Sequence, residues 1–130
     1  MRRELEIRMS ETKKDKSDVK SLWKITRIIN KKYCNNKLKI DRIFMYSYAQ
    51  GARGVACYLH NKSRRGTIGV YNKQPWRDMS NVLLHELSHA YAHQILKLKD
   101  GTIGRHNKRF WKTIDEFLDV LEKEGMTYKK

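Results

Sequence analysis

The chain has 130 residues, a length typical of one domain with a single modest core and no separate regulatory module. Lysine and arginine number 29 against 14 acidic residues, so the formal net charge is +15. No apolar run approaches the length of a membrane span, and the N-terminus lacks the apolar stretch of a signal peptide. We therefore expect an intracellular protein of the cytoplasm, nucleoid or nucleus that is neither secreted nor bound to a membrane.

The N-terminal part of the chain is expected to be a basic, flexible arm over residues 1–16, followed by one domain over residues 17–130. The arm combines a weak apolar alternation with a lysine-rich run. From Ser17 to about Tyr33, apolar residues recur at spacings of three and four. This spacing predicts an amphipathic helix with Ser17 as its N-cap.

Three short strands are predicted next, over residues 39–48, 55–60 and 66–71, because apolar, β-branched and aromatic residues alternate there between turn signals. Residues 61–65 would form a hairpin connection. With two further helices toward the C-terminus, the predicted class is α+β. We expect a three-stranded antiparallel sheet covered by an N-terminal helix, a helix that carries two histidines, and a C-terminal helix.

The helix after Pro75 is expected to begin near residue 78 or 80 and to end near residue 99. It contains the pentapeptide His85-Glu86-Leu87-Ser88-His89, which has the pattern H-E-x-x-H. Residues four apart are neighbours on one helix face, with side-chain roots about 6 Å apart, so both imidazoles can bind one Zn²⁺. Glu86 would lie beside the metal, where it can accept a proton from water.

A third ligand is required, because catalytic zinc usually takes three protein ligands and keeps one position for water. His93 lies two turns from His85, about 12 Å along the axis, so it is expected to be a solvated or substrate-side residue. His60 lies in a predicted loop. The spacing favours His106, which follows a glycine-containing turn and precedes the C-terminal helix. That helix has an apolar stripe formed by Phe110, Trp111, Ile114, Phe117, Leu118 and Leu121.

Two segments resemble a known family. Residues 83–91 read L-L-H-E-L-S-H-A-Y, and residues 106–111 read H-N-K-R-F-W. The stretch from about residue 51 to 121 is similar to the SprT-like metallopeptidase domain, the class that includes the Spartan DNA–protein crosslink proteases. That family shows a strand pair, L-L-H-E-x-x-H-A-Y or a similar motif, a loop, and then a histidine followed by x-x-x-F and a closing helix. The related WLM class of small metallopeptidases shares the same core pattern and remains an alternative.

The resemblance implies a zincin-like core that binds one zinc ion through His85, His89 and His106, with Glu86 as the catalytic base. One departure is Asn107, where family members commonly have glycine. Asparagine tolerates a left-handed backbone and also caps helices well.

The cysteines bear on a module that follows many SprT-like cores, a C-terminal zinc ribbon. Cys34 and Cys57 show no paired metal spacing, and we expect them to be free thiols. A ribbon would need more cysteines, so the resemblance extends only to a minimal core. Any targeting to DNA would then come from the core itself.

The excess of positive charge predicts a surface that follows the phosphates of nucleic acid. The predicted function is that of a zinc endopeptidase, a monomer with no membrane partner, that acts on DNA-associated proteins such as DNA–protein crosslinks. DNA is the expected partner, and it could be single-stranded or junction DNA. The alternative is a non-catalytic basic nucleic-acid-binding domain with a structural zinc. The residues expected to contact nucleic acid are Arg64, Arg65, Arg105, Lys108, Arg109 and Lys112.

Overall fold

A computed structural model describes residues 13–47, 56–60, 63–98 and 106–126. The described residues form an α+β arrangement of three helices and one three-stranded sheet, as the sequence predicts. No helix within these ranges has the length and apolar character needed to cross a membrane. In chain order the elements are α1 (Lys13–Lys32), β1 (Ile40–Tyr46), β2 (Ala56–His60), β3 (Gly66–Tyr71), α2 (Trp76–Gln94) and α3 (Lys108–Lys123).

The sheet is mixed, so the prediction of an antiparallel sheet was wrong. The strand order is β1-β3-β2, with β3 parallel to β1 and antiparallel to β2. The expected hairpin does join β2 to β3, but β3 then occupies the central position. Chain length permits this order, because residues 47–55 are numerous enough to pass one strand position, a distance of about 10 Å between β1 and β2.

The described part of helix α1 starts at Lys13, so the predicted N-cap at Ser17 was wrong, because Ser17 lies inside the helix. The first turn is held by a carboxylate that points inward. Asp15 is 3% exposed and accepts a hydrogen bond from Asn72 Nδ2 at 2.9 Å. One turn later, Asp18 pairs with Lys14 at 2.8 Å, a spacing that stabilises helices. Residues 1–12 lie outside the described residues.

The core lies between the sheet and the helices. On β1, Ile43 and Met45 face the helices, while Phe44 and Tyr46 alternate with them on the other face, as the two-residue period of a strand requires. Helix α1 contacts β1, helix α2 contacts β2 and β3, and helix α3 packs on both other helices. The largest buried side chains that α1, α2 and α3 contribute are Leu22, Ile25, Ile29, Met79, Leu83, Leu84, Leu87, Phe117 and Leu121.

Helix α2 ends at Gln94, earlier than the predicted end near residue 99. The side chain of its last residue, Gln94, binds the backbone of Lys39, the residue before β1. The Gln94 amide accepts from Lys39 N at 2.6 Å and donates to Lys39 O at 3.0 Å, as a neighbouring strand would. Glycine at position 66 leaves room for the Tyr58 ring, because a Cβ there would lie 2.3 Å from that ring. These contacts fix α2 against the sheet and thereby fix its histidine face.

Both cysteines are free thiols, as predicted. Cys34 is buried in the core after α1, and burial raises the pKa of its thiol to about 12. Cys57 is half-buried on β2. The Cys34 side chain therefore acts as a small apolar group in the core.

Candidate metal centre

Three histidines from two separate segments meet beside the C-terminal half of α2. His85 and His89 lie one turn apart on α2, and His106 lies two residues before α3. One ring nitrogen of each lies within 4.8 Å of the other two. The expectation that His106 joins the H-E-x-x-H pair is therefore supported by the geometry, although 17 residues separate it from His89.

The spacing of the nitrogens fits a tetrahedral metal ion. His106 Nε2 and His89 Nε2 are 3.3 Å apart. Two imidazole nitrogens on one tetrahedral zinc ion are also about 3.3 Å apart, because each Zn–N bond is about 2.0–2.1 Å long. The ring centroids of His85 lie 4.9 Å from those of His89 and 4.6 Å from those of His106. Among the described residues, this is the only group of three or more potential ligands whose atoms meet in this way.

The Phe110 ring packs against all three imidazoles. Its side chain is buried, and its ring centroid lies 4.8 Å from that of His85 and 4.7 Å from those of His89 and His106. The Ser88 hydroxyl donates to the Phe110 carbonyl at 3.1 Å, which ties the start of α3 to α2. The sequence places Phe110 in the apolar stripe of α3, but periodicity alone does not indicate that this ring supports the histidines.

The electrostatic environment favours neutral imidazole at His85. Burial, together with the neighbouring His89 and His106, lowers the pKa of His85 to about 4. At neutral pH this ring therefore carries a free lone pair, which is the form that binds metal ions. The site is thus ready to bind a cation without first releasing a proton from His85.

Glu86 lies next to the histidines and is 8% exposed. One carboxylate oxygen is 3.9 Å from His85 Nε2. Burial raises the pKa of Glu86 to about 7, whereas a metal cation at the histidines would favour its ionised form. A buried carboxyl group beside a cation site is suited to accept and return a proton.

Of the other two histidines, His93 differs from expectation. Predicted to be a solvated or substrate-side residue, it is 3% exposed, and its Nδ1 forms a hydrogen bond with the Tyr58 hydroxyl at 3.2 Å. His60 lies at the end of β2, within the strand predicted over residues 55–60, with its ring centroid 3.9 Å from that of His93. Neither belongs to the three-histidine cluster. The sequence pattern misses the burial of His93 because its partners come from a strand more than thirty residues earlier.

The six basic residues predicted to bind nucleic acid fall into different environments. Arg64 donates to the carbonyl of His93 and so stabilises the end of α2. Arg65 forms a salt bridge with Asp41. Arg105 lies outside the described residues. The remaining three, Lys108, Arg109 and Lys112, are exposed on the first turns of α3, the helix that follows His106.

Asn107 is the N-cap of α3, as the sequence predicts from its residue type. Its φ is −88°, so the left-handed conformation is not used, and its Oδ1 accepts from Phe110 N at 3.0 Å. We expect Asn107→Ala to lower the free energy of unfolding by about 0.5–2 kcal/mol, because the cap is lost. Urea denaturation measures this change.

A matched variant keeps the acceptor at the same position. Asn107→Asp should retain nearly the full stability, because aspartate caps helices as well as asparagine does. If alanine and aspartate had equal effects, the hydrogen bond to Phe110 N would not contribute to stability.

The chain matches no family model, no curated protein and no solved structure at a significant level. The geometry of the fold and site therefore defines the class of protein. It is an α+β domain in which three histidines could hold a metal ion beside a buried glutamate.

Proposed function

We propose that this protein is a zinc-dependent endopeptidase with a zincin-like core, similar to the SprT-like metallopeptidases, that cleaves proteins bound or crosslinked to DNA. The observation that carries the proposal is the convergence of His85, His89 and His106 beside the buried carboxyl group of Glu86. Imidazole nitrogens at this spacing suit zinc, and three histidines form a ligand set used by catalytic zinc.

The number of ligands supports catalysis over a purely structural metal. Structural zinc sites are closed by four protein ligands, whereas catalytic sites have three and an open position. Within the part of the chain that the structure describes, only three donors gather here. His106 is exposed, so the open position would face solvent and substrate.

The reaction assigns a separate role to each group. When bound, zinc supplies a water of lowered pKa and polarises the scissile carbonyl. Glu86 would accept the proton of that water and later donate a proton to the leaving amine, first as base and then as acid. His85, His89 and His106 would hold the ion, and Phe110 would keep their rings in position.

Strand β2 offers a place for an extended polypeptide. It is an edge strand that contacts α2, the helix of the two histidines. A peptide added to such an edge pairs through its backbone, so side chains have little influence on binding. This mode suits the cleavage of irregular or unfolded segments.

The association with DNA is supported by charge. The chain carries a formal net charge of +15, and three exposed basic residues lie on the first turns of α3, the helix that follows His106. Such a surface binds phosphates and concentrates the protein near DNA-bound substrates.

We expect the purified protein to contain one zinc ion per chain and to cleave an unfolded protein such as casein, with higher activity when single-stranded DNA is present. Chelation should abolish cleavage, and addition of zinc should restore it, because the ion activates the water. Metal analysis and gel-based proteolysis measure both. One zinc per chain without turnover of casein, with or without DNA, would instead favour a nucleic-acid-binding domain with a structural metal.

A further inference from the structure

Trp111 is an exposed aromatic residue beside the metal centre. The sequence places it in the apolar stripe of α3, yet 50% of its side chain is exposed. Its ring centroid lies 6.3 Å from that of His85 and 6.1 Å from that of His106. The ring packs edge-on against Phe110, with centroids 5.1 Å apart and an interplanar angle of 90°. The indole therefore contacts the protein through the Phe110 ring, while half of the side chain remains accessible beside the histidines.

Lysines flank Trp111 on the exposed side of the helix. Lys108 precedes it by three residues and Lys112 follows it directly, so all three side chains fall on one face. Among the residues that the structure describes, neither lysine forms a salt bridge. The first turn of α3 contains no acidic residue, and the nearest acids along the helix, Asp115 and Glu116, come three and four residues after Lys112.

We propose that Trp111 is a nucleobase-stacking residue and that single-stranded nucleic acid binds across the first turns of α3, with its phosphates at Lys108 and Lys112. This inference rests on the DNA association in the proposed function and assigns it a location and a strand type. A base on an exposed indole, with flanking cations for the backbone, is how proteins bind single strands without reading sequence. A duplex hides its base faces in the stack and offers this residue no partner.

Charge favours nucleic acid over a polypeptide at this surface. An exposed tryptophan alone would also suit an apolar side chain of a protein substrate. The two exposed lysines beside it, in a chain of net charge +15, instead favour a polyanion. A strand held at Trp111 passes close to His85 and His106. A polypeptide attached to that strand would consequently be held near the metal centre.

The test is the affinity of the zinc-loaded protein for a fluorescein-labelled oligothymidylate of about 12 nucleotides, measured by fluorescence anisotropy over a range of salt concentrations. We expect Trp111→Ala to weaken binding about 5- to 150-fold, which corresponds to about 1–3 kcal/mol for one stacked base. The salt dependence should not change, because no charge is removed. Lys112→Ala should instead reduce the slope of log affinity against log salt by about 0.7.

Matched controls separate stacking from general effects. Trp111→Phe should retain most of the affinity, since phenylalanine still offers an aromatic face. Leu59→Ala removes the other large exposed apolar side chain, 47% exposed on β2, and should bind as the wild type does. Trp111→Ala should have little effect on binding to a blunt duplex of the same length or to inorganic polyphosphate, because neither presents free base faces.

Wild-type affinity of Trp111→Ala for the oligothymidylate overturns the proposal. So does an equal loss of affinity for polyphosphate, which would show an effect on charge alone. Slower casein cleavage without DNA, together with unchanged oligonucleotide affinity, would place a polypeptide at Trp111 instead. A protein that binds oligonucleotide through Trp111 but cleaves nothing rejects the endopeptidase and leaves this inference intact. If DNA stimulates cleavage but binding does not depend on Trp111, the endopeptidase proposal is retained and this inference is rejected.

Discussion

Replacing Glu86 with glutamine is expected to lower proteolysis by about 100- to 10,000-fold while the protein stays folded and keeps its zinc. Glutamine has nearly the same size and shape as glutamate, so it can occupy the same buried position beside His85. It cannot accept the proton of an attacking water. Casein cleavage, metal content and circular dichroism of the same preparation measure the three parts of this prediction.

The matched control is Glu122→Gln, which makes the same chemical change at an exposed position of α3. It should cleave at the wild-type rate. If Glu86→Gln cleaved as fast as the wild type, the assignment of Glu86 as the base would be rejected. If it lost zinc together with activity, Glu86 would act by holding the site rather than by moving a proton.

The cluster of three histidines that could hold a metal ion was largely predictable, because its determinants are local. His85 and His89 are one helical turn apart, and that spacing alone places their imidazoles together. His106 required one further inference, that a short glycine-containing segment returns the chain over α2. The structure places it there, with its Nε2 3.3 Å from that of His89.

The pairing of strands was not predictable from the pattern. Alternating apolar residues located β1, β2 and β3 to within one or two residues, but alternation does not specify which strand lies in the middle. The parallel pairing of β1 with β3 depends on the path of the connection after β1. An antiparallel meander and the observed order bury the same residues on the same faces.

Buried polar residues were misjudged for a related reason. Asp15 and His93 both look like surface residues in the sequence, but each is 3% exposed. Their hydrogen-bond partners, Asn72 and Tyr58, are 57 and 35 residues away along the chain. A polar side chain is buried only where such a partner satisfies it, and a partner so distant leaves no trace in the local spacing.

Trp111 was misjudged in the opposite direction, because the sequence pattern places it in the apolar stripe of α3 although half of its side chain is exposed. Helical spacing places it at the border of the apolar stripe that begins with Phe110, one residue and about 100° away. Phe110 takes the buried position under the histidines, so Trp111 lies at the rim. The buried residues of α3, Phe110, Thr113, Phe117 and Leu121, recur at spacings of three and four, and Trp111 lies one residue off that row.

Replacing His106 with alanine is expected to weaken zinc binding by well over 100-fold and to abolish cleavage with it. Loss of a residue that only supports a ligand already costs about 10- to 100-fold in metal affinity, and His106 would be a ligand itself. Because its side chain is exposed, alanine leaves no cavity in the core, and the fold should persist. Competition with a chromogenic chelator measures the affinity, and thermal unfolding of the metal-free protein checks the fold.

His60→Ala is the matched control, since His60 is also exposed but lies outside the three-histidine cluster, and it should bind zinc as the wild type does. His106→Cys should recover part of the affinity, because a thiolate is also a zinc ligand. Wild-type affinity in His106→Ala would show that the third ligand lies elsewhere. His106→Ala and Glu86→Gln together separate the two roles of the site. His106→Ala should remove the metal and the activity together, whereas Glu86→Gln should remove the activity alone.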